Sequence, residues 1–141
     1  MKVAITGGTG FVGSQLTAAL QQAGHEVVVL TRDVARARRV LPAATFPQVT
    51  LVAYTPQQSG DWQTASSGCD GVVNLAGATI SERWSAAHKQ AILNSRQVGT
   101  AKIVEAIAQA DVKPQVLVSA SAIGYYGTSE TKTFDETSAP N

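Results

Sequence analysis

Short runs of β-branched and apolar residues alternate along this chain with longer stretches whose apolar positions recur every three or four residues. Residues 2–6, KVAIT, form an apolar run that glycines interrupt at once, the pattern of a buried strand. From Phe11 to Ala23, Val12, Leu16, Ala19, Leu20 and Ala23 fall at helical spacing, and Gly24 supplies a stop. A second strand is expected over residues 26–30, EVVVL. Asp33 can then cap a short helix reaching about Leu41, which Pro42 ends. The third strand is expected over 49–54, VTLVAY, followed by a loop at 55–60 and a weak helix over 61–67. GVVNLAG, 71–77, reads as a fourth strand. A long helix follows from about Ser85 to Gln109, with Ile92, Ile103 and Ile107 facing inward, and QVLVSAS, 115–121, reads as a fifth strand. The remaining residues read as polar loop.

Strand–helix alternation with almost continuously apolar strands predicts an α/β fold, a parallel sheet covered by helices on both faces. With right-handed crossovers, five strands give a Rossmann-type doubly wound order of 3-2-1-4-5 in one domain spanning 1–141.

Composition narrows the picture. Hydrophobic residues make up 44% of the 141, which suits a packed core. The 11 basic and 10 acidic side chains nearly cancel, so no global charge draws the chain to nucleic acid or to an anionic membrane. The single cysteine, Cys69, leaves no internal disulfide and suits a reducing compartment as a small packing group. No signal peptide is visible and no run approaches the roughly 20 apolar residues of a membrane span. The expectation is a soluble cytoplasmic domain. His25 and His88 have no ligand partner at useful spacing, so no metal site is expected.

The first chemistry lies in ITGGTGFVG. Gly7, Gly10 and Gly13 form G-x-x-G-x-x-G, and Gly8, Gly10 and Gly13 also satisfy G-x-G-x-x-G. This loop follows a predicted strand and opens a predicted helix, the context a dinucleotide fingerprint requires. One glycine allows the tight turn, another lets backbone approach a pyrophosphate, and Gly13 lets helix pack close to strand. Free N–H groups around Gly10, Phe11 and Val12 would face the phosphates, aided by the helix dipole.

The end of the second strand selects the dinucleotide. An acid there would bind ribose hydroxyls and repel a 2′-phosphate. This strand ends VVVLTRD, with Thr31 and Arg32 at its tip. Asp33 stands at a distance that keeps NAD open, but its position suits helix capping. A helix starting near Arg32 would align Arg32, Arg36 and Arg39 on one stripe, opposite Val34, Ala37 and Leu41. Arg36 and Arg39 read as a solvated face, whereas Arg32 reads as a contact to a 2′-phosphate. The expected cofactor is NADP(H).

The glycine loop, NLAG after strand four and a serine after strand five together resemble the extended short-chain dehydrogenase/reductases. NLAGATISERWSAAHKQAILNSR, Asn74 to Arg96, followed by SASAIGYYG, resembles more closely an atypical epimerase-like family within them. Its members carry labels such as nucleoside-diphosphate-sugar epimerase or cell-division inhibitor. The resemblance implies that Thr31 replaces the ribose-binding Asp of NAD-using epimerases. It also implies that Leu75, Ala76 and Gly77 pass along the adenosine half of the cofactor. Arg83 and Trp84 would lie near a substrate cleft, and Arg96 could face the cofactor, with pairing to Glu105 or Asp70 as the alternative.

Chemistry in this superfamily uses a Tyr phenolate acidified by a Lys in Tyr-x-x-x-Lys, and a Ser or Thr that hydrogen-bonds the reacting oxygen. Ser121 takes the serine's place by resemblance, on the same strand face as Ser119. Tyr125 and Tyr126 have Ser129 and Glu130 where the lysine should be, and Lys132 is badly spaced. No acid–base pair is therefore legible within the chain. The resemblance also implies a C-terminal substrate domain, absent from these residues. Without it, strand five would leave an edge and apolar helix faces uncovered, which invites homodimer formation. The expected function is the NADP(H)-binding part of an epimerase-like reductase acting by hydride transfer on a sugar nucleotide or small carbonyl compound. The alternative is an NADP(H)-binding sensor or scaffold module without catalysis.

Overall fold

A computed structural model describes residues 1–140. It contains β1 (Lys2–Thr6), α1 (Phe11–Gln22), β2 (Glu26–Thr31), α2 (Val34–Val40), β3 (Val49–Ala53), β4 (Gly71–Asn74), α3 (Ala86–Gln109) and β5 (Val116–Ser119). Two short 3₁₀ turns, Asp61–Ser66 and Ile123–Tyr126, complete it. All strand pairs are parallel, in the order β3-β2-β1-β4-β5. The predicted doubly wound topology is therefore the observed one.

The sheet carries apolar side chains on both faces because each face has its own cover. On one face Val3, Ile5, Val27, Val29, Leu41 and Val49 pack with Leu16 and Leu20 of α1. On the other, Ala4, Val28, Leu30 and Val72 meet Trp62, Ile103 and Ala106 beneath α3 and the Asp61–Ser66 turn. Cys69 is buried in this second layer, as a packing group. The residues predicted as a weak helix over 61–67 adopt the tighter 3₁₀ turn, with Gln63 donated a hydrogen bond by the Gly60 N–H.

Local differences from the sequence pattern appear in two helices and two strands. The inward stripe of α1 is Gly13, Leu16, Thr17 and Leu20, whereas Val12, Ala19 and Ala23 are exposed. Gly13 decides this, because any Cβ there would stand 2.1 Å from the Gly7 carbonyl oxygen, so that point of the helix must face β1. Thr17 is tolerated in the interface because its hydroxyl donates to the Gly13 carbonyl at 2.8 Å. In α3, Ile103 is buried while Ile92 and Ile107 are half-buried.

The fourth strand ends at Asn74 rather than at residue 77. Leu75 N–H still bonds the Thr6 carbonyl, but Ala76 N–H bonds the Thr6 hydroxyl instead, because β1 turns away at Gly7. The fifth strand is correspondingly short. Its last ladder contact runs from Ala120 N–H to the Asn74 carbonyl, so Ser121 lies outside the strand and shares no strand face with Ser119. The outer edge of β5 is unpaired, and Val116 and Val118 are each 54% exposed.

Candidate functional site

The C-terminal ends of β1, β2 and β3, the segment after β4 and one side of α3 enclose an open cleft of about 520 Å³. It lies where the strand order reverses direction, beside β1, the usual place for a ligand in such a sheet. Gly7 and Gly10 border it, together with Thr9. Gly7 has φ +70°, and a Cβ on it would approach Ala76 N and the Leu75 carbonyl carbon to 2.9 Å. Only glycine satisfies both conditions. Gly10 donates to the Gly7 carbonyl at 3.0 Å and starts α1 without a side-chain cap. No acid occupies the first turn of that helix. The opening N–H groups of α1 are thus left for an anion. Phe11 and Val12 do not line the cleft through side chains, which stand in solvent; Phe11 is 93% exposed. Gly13 is buried under the loop and acts by close packing.

At the far end of the cleft, Thr31, Arg32 and Asp33 border it, and so does Arg36. Helix α2 begins at Val34, later than the stripe argument assumed. Asp33 is its cap, accepting from the Arg36 N–H at 2.9 Å. Thr31 accepts from the Asp33 N–H at 3.3 Å, which closes the turn. The consequence is a corrected stripe. Arg32 and Arg36 face the cleft, Arg39 does not line it, and Val34 is exposed while Ala37 and Leu41 are buried. Arg36 is exposed, as a solvated face requires, and also borders the cleft. Tyr54 forms the adjoining wall, edge-on to Trp62 with ring centroids 5.3 Å apart. Burial pushes its phenol above the ordinary value, and the nearby Arg32 charge partly opposes that.

The opposite wall is Leu75, Ala76, Gly77 and Ala78, backed by Ala91 and Ser95 of α3. Ser95 Oγ accepts from the Ala78 N–H at 2.9 Å. Arg96 does not line the cleft. Its guanidinium lies against Gly77, where a Cβ would meet Cζ at 3.1 Å, and it donates to the Ala78 carbonyl at 3.1 Å. Nor does it pair with Glu105 or Asp70. Glu105 is held by Lys102 and Ser59, and Asp70 accepts from the Lys2 N–H. Arg96 therefore fastens the wall from behind.

Ser121 is separate from this cleft. It borders a shallow surface depression with Ala122, Ile123, Tyr125 and Tyr126. Tyr125 and Tyr126 meet edge to face at 5.1 Å, and Tyr126 stacks on Phe134 at 6.0 Å. Arg83 and Trp84 lie in the exposed loop before α3, where Trp84 Nε1 donates to the Ile80 carbonyl. Among the described residues, no group of three or more His, Cys, Asp or Glu side chains could hold a metal ion, and no helix is long and apolar enough to cross a membrane.

Sequence reasoning missed Thr9, Tyr54, Pro56, Gln57, Ala91 and Ser95 as cleft residues. Tyr54 was within reach, since it ends a strand on the ligand side of the sheet. Nothing local marked Ala91 and Ser95, which reach the cleft through the crossing of α3.

The glycine cradle, the uncapped helix start and the paired cations suit a dinucleotide with an extra phosphate. The NAD dependent epimerase/dehydratase family matches residues 3–141. The chain is similar to the chloroplastic SDR39U1 homologue, an epimerase family protein of Arabidopsis thaliana, at 44% identity over 98% of this chain and 39% of the relative. It is also similar to the epimerase family protein YfhF of Bacillus subtilis, at 39% identity over 99% of this chain and 43% of that protein. Among solved structures, human epimerase family protein SDR39U1 (isoform 2), determined with NADPH, superposes with a TM-score of 0.78 at 31% identity, over 99% of this chain and 43% of that one. UDP-glucuronic acid 4-epimerase of Bacillus cereus shares the fold, with a TM-score of 0.81 at 19% identity over 100% of this chain and 46% of its own. The chain thus spans about two fifths of the length of the curated relatives it matches. With the family's model matched over residues 3–141, nearly the whole chain, the chain belongs to the NAD dependent epimerase/dehydratase family.

Proposed function

We propose that residues 1–141 form the NADP(H)-binding part of an epimerase-like reductase. The observation that carries this reading is the placement of Arg32 and Arg36 together on the cleft while Asp33 is committed to capping α2. A carboxylate at the strand tip would be the NAD-selecting feature, and the acid nearest that place, Asp33, has Oδ1 engaged by the Arg36 N–H. Two guanidinium groups instead offer charge-assisted donors to a 2′-phosphate. The glycine loop and the first N–H groups of α1, including those of Phe11 and Val12, would hold the pyrophosphate. Leu75, Ala76 and Gly77 would flank the adenosine half, with Arg96 and Ser95 keeping that segment in place. The human relative solved with NADPH supports the same cofactor. Titration calorimetry with NADPH and NADH tests the reading; equal affinity would overturn it.

When bound, the nicotinamide supplies hydride exchange with a carbon of the substrate. Within this chain, Ser121 is the residue proposed to hydrogen-bond the reacting oxygen of a sugar nucleotide or small carbonyl compound. Its acid–base partner and the substrate domain are proposed to lie outside residues 1–141, as the length of the relatives supports. The unpaired β5 edge, with Val116 and Val118 exposed, supports self-association of the isolated chain, which sedimentation would detect. A reducing compartment, the cytoplasm among them, suits the free thiol of Cys69.

One observation favours a second reading, a cofactor-binding module without turnover. Ser121 stands apart from the cleft, and neither Tyr125 nor Tyr126 has a lysine at the required spacing. Ser121-dependent NADPH oxidation by the longest natural form of the protein would dispose of that reading.

A further inference from the structure

The loop between β3 and the Asp61–Ser66 turn serves two neighbours at once. Its first part, Pro56 and Gln57, forms a wall of the cleft beside Tyr54. Its last part is fastened to the distal half of α3. Ser59 Oγ donates to Glu105 Oε1 at 2.6 Å, and Lys102 Nζ donates to Ser59 Oγ at 2.8 Å and to Glu105 Oε2 at 2.7 Å. Gln63 Nε2 adds donations to Glu105 Oε1 and to the Lys102 carbonyl, both at 3.2 Å. Two further hydrogen bonds carry the restraint back toward the cleft. Trp62 Nε1 donates to the Gln58 carbonyl at 3.0 Å, and Gln58 N–H donates to the Thr55 carbonyl at 3.1 Å.

These bonds form one closed network. Each oxygen of Glu105 is engaged, and the carboxyl is held down to about 2, first by the hydrogen bond from Lys102 and then by those from Ser59 and Gln63. The Lys102 and Glu105 side chains are 25% and 31% exposed. A mobile loop at this place would leave Pro56 and Gln57 free to drift from the cleft wall they form. The loop runs close to α3 here, since a Cβ on buried Gly99 would stand 3.9 Å from the Pro56 carbonyl oxygen, an ordinary contact.

We propose that Ser59, Lys102 and Glu105 are positioning residues for the cofactor, a clip that holds the Pro56–Gln57 wall against the adenosine half of a bound dinucleotide. None of the three lines the cleft, so they act through the loop. The inference rests on the proposed dinucleotide reading and adds a remote determinant of its affinity. Fixing a binding wall in advance removes an ordering cost from the binding step.

The test uses adenosine 2′,5′-bisphosphate, which carries only the adenosine half, on the full chain. Glu105→Gln and the milder Ser59→Ala should each raise its Kd by about 3- to 10-fold. Amide hydrogen exchange over residues 55–58 should accelerate in both variants, while β1 amides keep their protection. A clip with a purely structural role would lower the melting temperature and speed exchange at 61–66 but leave Kd unchanged, and that result overturns the proposal. If wild-type protein fails to bind the bisphosphate at all, the dinucleotide reading falls and takes this one with it. If the wild type binds and both variants bind equally well, only the clip is refuted.

Discussion

Thr6 and Asn74 stand opposite each other at the ends of β1 and β4, and the Thr6 hydroxyl donates to Asn74 Oδ1 at 2.6 Å. The same Thr6 oxygen accepts from the Ala76 N–H at 3.2 Å. Asn74 Nδ2 reaches Thr100 Oγ1 of α3 at 3.0 Å and Ser119 Oγ of β5 at 3.4 Å. One buried amide therefore ties three strands and a helix together directly beneath the cleft floor. Its apolar replacement would strand several polar groups, so Asn74→Leu should cost about 1–3 kcal/mol. Chemical denaturation measures this, and Thr6→Val should loosen the Leu75–Gly77 wall as faster amide exchange.

Arg32 and Arg36 should divide the recognition of a 2′-phosphate. Arg32→Ala is expected to weaken NADPH binding by about 10- to 100-fold, the worth of a charge-assisted hydrogen bond, while leaving NADH almost unchanged. Arg36→Ala should act in the same direction. Parallel calorimetric titrations with both cofactors check the pair, and a solvated Arg36 would show no effect.

The glycines of the loop predict contrasting outcomes. Gly13→Ala forces a Cβ to 2.1 Å from the Gly7 carbonyl oxygen, so α1 must move away from β1. Overpacking of this kind should cost at least about 1–3 kcal/mol and weaken cofactor binding along with it. Gly24 has φ +80° with open space around its Cα. Gly24→Ala should therefore lower stability by roughly 1 kcal/mol through backbone strain alone, with the cofactor Kd intact. Melting curves and titrations separate the two.

The Glu105 carboxyl has a definite pH signature. Its value in the folded protein is lowered to about 2 from 4.5, chiefly by the hydrogen bond from Lys102. Lowering in the folded state means the ionised form is favoured by folding. Its contribution is then fully present above the unfolded value and is lost as pH falls toward the folded one. The stability gap between wild type and Glu105→Gln should be constant near neutrality and shrink between about pH 4.5 and pH 2. Urea titrations at several pH values follow it.

The order of elements was legible along the chain because buried parallel strands are apolar throughout and helices repeat every 3.6 residues. Asp33 caps the helix it was expected to cap, and the long helix starts beside Ser85, about where its beginning was expected. The dinucleotide loop was legible as well, since its glycines are demanded by local backbone geometry. Strand lengths were not. QVLVSAS continues its strand-like pattern to Ser121, yet β5 stops at Ser119 because β4 offers no further partner after Asn74. Hydrogen-bonding partners come from other strands and leave no mark on the strand itself.

The same division runs through the site. Local pattern was enough to bring Gly7, Gly10, Thr31 and Arg32 to one cleft, for each sits at a turn or strand tip whose chemistry is local. It did not show which residues of α1 face inward, because which face a helix turns inward depends on the closest approach to its neighbour. Gly13 against Gly7 set that face for α1. The backing of the walls by Ser95, Arg96 and the Ser59–Lys102–Glu105 clip arises where α3 crosses two loops remote in the chain. Contacts of that kind exist only once the sheet has assembled.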